Sequence, residues 1–281
     1  MSDFYDSVLI NNIISIFQKG KKTESINQIK KFLDTNPTNN IARYNYALMN
    51  EKIGDIDSAI EEYKKVINND NKHWRSRFNL YLILIKKKNY KAALELINVV
   101  LKIKKNYQPA LRDKAIVLLY INKPEEGLSY IKKSLKNNPA DYIAQNTLGL
   151  IYLKLQKIEN SIIIFKKAIN NNPNYFPSYN NLGRCYSLQN KRELALKNFQ
   201  ISLNIKPDFL EALNNVANYY SETGYYEKAL EYYYKAMKID KNNYELLYNI
   251  GIAYPFLKKY KKSEKYYKKA YFINSDDEKL K

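Results

Sequence analysis

The chain has 281 residues, 47 Lys plus Arg against 28 Asp plus Glu, and a formal net charge of +19. Its single Cys excludes an intramolecular disulfide framework, its single His beside that Cys excludes a Cys/His zinc site, and 7 Gly with 8 Pro are too few for the turns of an all-β chain. An apolar share of 45% supports a core, and the charge raises a nucleic-acid or membrane-surface reading.

That charge needs care. Only Arg43, Arg75, Arg77, Arg112, Arg184 and Arg192 are arginines; the other basic residues are lysines. Lys, Asn, Ile and Tyr dominate the chain, and their codons are A- and T-rich, so a low-GC genome produces this bias with no partner selecting for it. Arg, the usual residue for bidentate phosphate and base contacts, is scarce.

The N-terminal stretch Met1 to Ile16 carries Asp3 and Asp6 where a signal peptide carries Lys or Arg, and Asn11-Asn12 interrupt its apolar run. Nothing approaches the 18 apolar residues of a membrane span. The expectation is a cytoplasmic protein without membrane insertion.

From residue 6 onward the sequence repeats every 34 residues. Unit 6–39 shows the pattern weakly, ending on Pro37. Unit 40–73 has Ala47, Ala59 and Tyr63; unit 74–107 has Leu80 and Ala93; unit 108–141 keeps only Ala115 and Pro139. Unit 142–175 is full, with Leu148, Gly149, Tyr152, Phe165, Ala168 and Pro173. Unit 176–209 has Leu182, Gly183, Tyr186, Ala195, Phe199 and Pro207. Unit 210–243 has Ala217, Tyr220, Ala229, Tyr233 and Ala236, and unit 244–277 has Ile250, Gly251, Tyr254, Tyr267 and Ala270. Within each unit, apolar residues at i, i+3, i+4 spacing predict two helices, as at Phe199 and Leu203, with Leu194 preceding them. Small residues at positions 8, 20 and 27 let the helices approach, and Pro at 32 sets the turn to the next unit. No unit buries its apolar face alone, so neighbours must stack.

Leu-Gly at positions 7 and 8, aromatics at 11 and 24, Ala at 20 and 27 and Pro at 32 resemble the tetratricopeptide repeat (TPR). The resemblance implies an all-α fold: a right-handed superhelical α-solenoid of eight gapless 34-residue helix–turn–helix repeats, one domain over 1–281. It also implies that the recurring Gly, Ala, Tyr and Pro are structural, and that positions 2, 5, 6, 9, 12 and 13 of each first helix line a concave groove.

Position 6 reads Asn11, Asn45, Asn79, Asp113, Thr147, Asn181, Asn215, Asn249. Asn is a mediocre helix former, costing a few tenths of a kcal/mol at each mid-helix position. Codon bias supplies Asn anywhere, but it does not select one phase of a 34-residue period. A carboxamide carries a donor and an acceptor, and so can pair with both groups of a backbone amide. The series resembles the asparagine ladder of the repeat superhelix in O-linked N-acetylglucosamine transferases, which grips extended peptides. The carry-over covers Asn11, Asn45, Asn79, Asn181, Asn215 and Asn249; Asp113 and Thr147 interrupt it. Flanking Asn146, Asn180, Asn214 and Asn218 enrich the C-terminal half, and Arg184 joins them at position 9. The competing reading is that these Asn cap or bridge neighbouring helices.

A different use within the family, the carboxylate clamp for chaperone C-termini, needs Lys at position 5 and Arg at position 6. No unit carries either. Catalytic chemistry is thin. His73 is expected as a solvated turn residue and Cys185 as a packing thiol; there is no Gly-rich phosphate loop, metal-ligand cluster or nucleophile elbow. Neither a cofactor nor an enzymatic role is expected.

The groove positions hold six cations (Lys52, Arg75, Lys86, Arg112, Lys154, Arg184) and five anions (Glu51, Asp113, Glu211, Glu222, Glu245). The excess charge lies elsewhere, much of it in pairs near positions 25 and 26: Lys30-Lys31, Lys64-Lys65, Lys132-Lys133, Lys166-Lys167 and Lys268-Lys269. A nucleic-acid groove concentrates cations where phosphates run and interleaves stacking aromatics, which argues against nucleic acid here. The expectation is a noncatalytic scaffold for protein or peptide partners. The alternatives are a basic convex face that meets nucleic acid or an anionic surface, and a targeting subunit or fragment of a TPR-containing transferase.

Three irregular features complete the reading. Glu278 to Lys281 are the only residues after the last unit, and the first helix is rich in Val8, Leu9, Ile10, Ile13, Ile14, Ile16 and Phe17, so uncapped ends suggest self-association. Pro255, at position 12, is expected to kink or end its helix early. Trp74 and Arg75 open the third unit beside the groove as a ligand anchor.

Overall fold

The computed structural model describes residues 2–273, among which every regular element is an α-helix. The described residues form two compact units that divide between residues 137 and 138. Unit one holds α1 (Ser2–Gln18), α2 (Lys22–Thr35), α3 (Asn40–Ile53), α4 (Ile56–Asn69), α5 (Trp74–Lys86), α6 (Tyr90–Ile103), α7 (Gln108–Tyr120) and α8 (Pro124–Asn137). Unit two holds α9 (Tyr142–Lys154), α10 (Ile158–Asn171), α11 (Phe176–Leu188), α12 (Arg192–Ile205), α13 (Leu210–Glu222), α14 (Tyr226–Ile239), α15 (Tyr244–Phe256) and α16 (Tyr260–Ile273). Within each unit consecutive helices pack on one another, making an all-α helical-repeat solenoid.

The 34-residue phase is visible in the packing. Position 20 is buried in every pair: Ser25, Ala59, Ala93 and Gly127 in unit one, Ser161, Ala195, Ala229 and Ser263 in unit two. Positions 8 and 24 share volume across each pair. Where position 24 is Phe165, Phe199 or Tyr267, position 8 is Gly149, Gly183 or Gly251; where position 8 is Tyr81, position 24 shrinks to Ile97. Bulk is thus traded between the two helices while the interior stays filled.

Each pair turns through one left-handed residue, always at position 15. It is Gly20, Gly54, Lys88 and Asn122 in unit one, and Gln156, Asn190, Gly224 and Lys258 in unit two, with φ between 57° and 92°. Side-chain caps start several helices: Asn39, Asp55, Asn89, Asp141 and Asn243 each accept from a backbone N–H three residues on.

Some expectations need correction. Pro255 does not shorten its helix, since α15 has 13 residues, like α9, α11 and α13. At the penultimate position its missing N–H withholds a donor only from the Gly251 carbonyl, which accepts from Ser263 Oγ at 2.8 Å. His73 is not a freely solvated turn residue. It caps α5 by accepting from Ser76 N–H at 3.2 Å, packs on Tyr44, and burial lowers its pKa below the ordinary value. Trp74 packs edge-on against Tyr107, with the Arg75 guanidinium 5.0 Å from its ring centre, so both are engaged within the unit.

Cys185 is buried, and desolvation pushes its thiol pKa up to about 11. In α1, Ile10, Ile13 and Phe17 are buried while Phe4, Tyr5, Val8 and Leu9 are exposed; Tyr260 and Phe272 are exposed on α16. Glu278 to Lys281 lie outside the described residues. No helix among the described residues is long and apolar enough to cross a membrane, and no cluster of three or more His, Cys, Asp or Glu there could hold a metal. Nine of the ten paired lysines are exposed; Lys65 instead lies 2.7 Å from Glu61 and 2.9 Å from Glu62.

Candidate functional site

The asparagines do not form one uniform ladder. In unit one, Asn11 is exposed on α1, and Asn45 Nδ2 donates to the Ile41 carbonyl of its own helix at 2.8 Å. Asn79 Nδ2 donates to the hydroxyls of Tyr44 and Tyr63, at 3.1 and 3.2 Å. Asp113 is buried against Arg112, with Nε–Oδ1 at 3.0 Å.

In unit two the carboxamides stitch successive first helices together. Asn146 Oδ1 on α9 accepts from Ser178 Oγ and Asn181 Nδ2 on α11, both at 3.1 Å. Asn180 Oδ1 on α11 accepts from Asn215 Nδ2 on α13 at 2.8 Å. Asn218 Oδ1 on α13 accepts from Asn249 Nδ2 on α15 at 3.3 Å and from Tyr233 Oη at 2.6 Å. Asn146, Asn180 and Asn181 are buried. A donor and acceptor both open on every Asn was the sequence expectation. The structure instead commits the amide nitrogens of Asn181, Asn215 and Asn249 to neighbouring helices. The reason is elementary: a half-buried carboxamide beside another satisfies its own groups first.

The register slips once. Asn180 receives the Asn one unit on, but Asn214, its equivalent, does not: Asn249 turns to Asn218 instead. Asn214 Oδ1 is left buried with no hydrogen-bond partner.

Beside this slip lies a cavity of about 220 Å³. Arg184, Ser187 and Leu188 from α11 form one side, Asn215, Asn218, Tyr219 and Glu222 from α13 face them, and Arg192, Ala195 and Phe199 of α12 close it. Six of these ten occupy the groove positions assigned from sequence: 9, 12 and 13 of one first helix, and 6, 9 and 13 of the next. Arg184, Asn215 and Asn218 are thus brought together; Asn11, Asn45 and Asn79 lie in unit one.

Within the cavity, Asn215 keeps its Oδ1 and Asn218 its Nδ2 without a partner among the described residues. Arg184 makes one 3.4 Å contact, to Asn181 Oδ1, and neither arginine has a carboxylate partner among the described residues. Tyr219 donates its hydroxyl to Glu193 at 2.7 Å, and that bond pushes its pKa up to about 12. Sequence reasoning missed Arg192 and Tyr219. They occupy positions 17 and 10, outside the first-helix face on which the groove was counted; scarcity of Arg was the available signal.

Tetratricopeptide-repeat family models match residues 17–72, 210–243 and 244–277, and a Psidin N-terminal TPR-region model matches 75–202. The chain is a tetratricopeptide-repeat protein. The repeat protein is similar in fold to a TPR protein from Parabacteroides merdae, at 15% identity and a TM-score of 0.77 over 88% of this chain and 98% of that one. It is also similar to YrrB, described as a TPR protein with an unusual peptide-binding site, at 20% identity and TM-score 0.54 over 66% of this chain and 95% of that one. A third similar structure is TTC0263 from Thermus thermophilus, at 23% identity and TM-score 0.60, covering 64% and 98% of the two chains. No curated protein matches the sequence.

Proposed function

We propose that the repeat protein is a noncatalytic cytoplasmic scaffold that holds an extended segment of a partner protein in the groove of residues 138–281, with all eight 34-residue units forming one repeat domain. One observation carries this reading: Asn215 and Asn218, one turn apart on α13, line the same cavity, and Asn215 Oδ1 and Asn218 Nδ2 have no partner among the described residues. Two residues together offer what the sequence assigned to each Asn alone. Asn215 Oδ1 accepts a peptide N–H, and Asn218 Nδ2 donates to a peptide carbonyl. Arg184 and Arg192 line the same cavity against one carboxylate, Glu222, and this positive balance favours an acidic side chain on the bound segment, while Leu188, Ala195 and Phe199 supply an apolar wall.

The test is Asn218→Asp. The carboxylate keeps the oxygen that Tyr233 and Asn249 use, and replaces only the free donor. Extended peptides recovered by affinity capture are titrated by fluorescence anisotropy. Loss of about tenfold or more in affinity, about 1.4 kcal/mol, at an unchanged melting temperature is expected. Equal affinity for the variant overturns the donor assignment.

A further inference from the structure

Unit one carries a second cavity, unrelated to the groove asparagines. Its volume is about 460 Å³, and four lysines line it: Lys102 on α6, Lys105 in the turn that follows, Lys114 on α7 and Lys133 on α8. No carboxylate lines it, and none of the four has an ion-pair partner among the described residues. Lys114 is half-buried in its wall, and Lys102, Lys105 and Lys133 are exposed around it.

Codon bias explains lysines scattered over a surface; it does not explain Lys114. That residue stands at position 7, which is buried and apolar in the six other units from residue 40 onward: Tyr46, Leu80, Leu148, Leu182, Val216 and Ile250. A cation in this place forfeits apolar burial, worth about 1.5–3 kcal/mol for a Leu side chain. The ammonium is held 3.8 Å from the centre of the Tyr130 ring, another wall of the cavity. Lys105 falls at position 32, where the following unit has Pro139. Asn98, also lining the cavity, has its Oδ1 buried without a hydrogen-bond partner.

We propose that this cavity is a binding site for a compact phosphoanion carrying two or more phosphates. Lysines act as point charges for phosphate, four of them line one cavity with no carboxylate, and its volume falls within the range of small-molecule sites. The ligand is either a soluble polyphosphate or the phosphorylated headgroup of an inositol lipid; both present the same chemistry.

The decisive variant is Lys114→Leu, which restores the residue type of the other units and therefore keeps the fold. Wild type, Lys114→Leu, Lys102→Gln/Lys133→Gln and the remote control Lys30→Gln/Lys31→Gln are titrated with inorganic tripolyphosphate by calorimetry at 150 mM salt. The same proteins are floated with phosphatidylcholine vesicles with and without a phosphoinositide. Saturable 1:1 binding, reduced tenfold or more by Lys114→Leu and by the double variant but not by the control, is expected. Tripolyphosphate binding identifies the soluble source, and vesicle binding alone identifies the headgroup; either supports the site. Absence of binding in both arms overturns the proposal. So does equal loss in the remote control, or tighter binding of single-stranded nucleic acid that Lys114→Leu leaves unchanged, since both mean diffuse charge.

Discussion

Gly183 on α11 and the ring of Phe199 on α12 are packed so closely that a Cβ at residue 183 would lie 2.6 Å from Phe199 Cε1 and 3.0 Å from the Ala195 carbonyl oxygen. The ring fills the space that a side chain would occupy. One obstacle is backbone, so the neighbour cannot simply rotate away.

Gly183→Ala is therefore expected to destabilise the protein by about 1–3 kcal/mol despite the better helix propensity of Ala. Phe199→Leu in the same chain shortens the opposing side chain, and the double variant is expected to lose less than the sum of the singles. Urea denaturation of the four proteins measures the coupling. Additive losses would show that the contact is not the cause.

Ser263 and Ser161 make the same bond, each donating Oγ to the carbonyl of the position-8 glycine, at 2.8 and 3.0 Å. Their backbones differ. The Gly251 carbonyl faces Pro255, which has no N–H, whereas residue 153 opposite Gly149 is a leucine. Ser263→Ala leaves a buried acceptor without that donor and is expected to cost about 1–3 kcal/mol, while Ser161→Ala costs less than about 1 kcal/mol. Thermal melts of the two variants compare them directly.

The repeat phase, the pairing of helices and the small residues at position 20 were legible in the sequence because all depend on side-chain size at a fixed spacing. Position 15 was not. Its left-handed residue is Gly in only three of eight places, and Lys88, Gln156 and Lys258 carry no signal of positive φ. The site was half legible. Groove positions are set by helix geometry and could be counted, which places Arg184, Asn215 and Asn218 beside one cavity. Which edge of each carboxamide stays free depends on which neighbour Asn249 chooses, and no single-residue pattern encodes that choice. Pro255 misled for a related reason: the cost of a proline depends on the carbonyl it strands, and Ser263 supplies that group from another helix.

Left-handed backbone costs a residue with a Cβ roughly 1–2 kcal/mol. Gln156 pays this at φ 58° in the turn between α9 and α10. Gln156→Gly removes the strain but raises the entropy of the unfolded chain, so a net gain of about 0.5–1 kcal/mol is expected. Asn122→Gly should gain less, because Asn tolerates this region better. Chemical denaturation of both variants checks the ranking, and a loss of stability in Gln156→Gly would contradict it.

Asn146 separates the asparagines that tie helices together from those proposed to bind a peptide. Its Oδ1 holds both Ser178 and Asn181, and it does not line the cavity beside Asn218. Asn146→Ala strands a buried hydroxyl and a buried amide, and a loss of about 2–4 kcal/mol is expected. Peptide affinity, measured well below the melting temperature, is expected to stay within about twofold, because the cavity is built on α11, α12 and α13. The pair of variants thus moves in opposite directions: Asn146→Ala lowers stability and spares binding, whereas Asn218→Asp lowers binding and spares stability. If Asn146→Ala weakened peptide binding as strongly as Asn218→Asp, the carboxamides would have to act as one cooperative track, and the division of labour argued from their hydrogen bonds would fail.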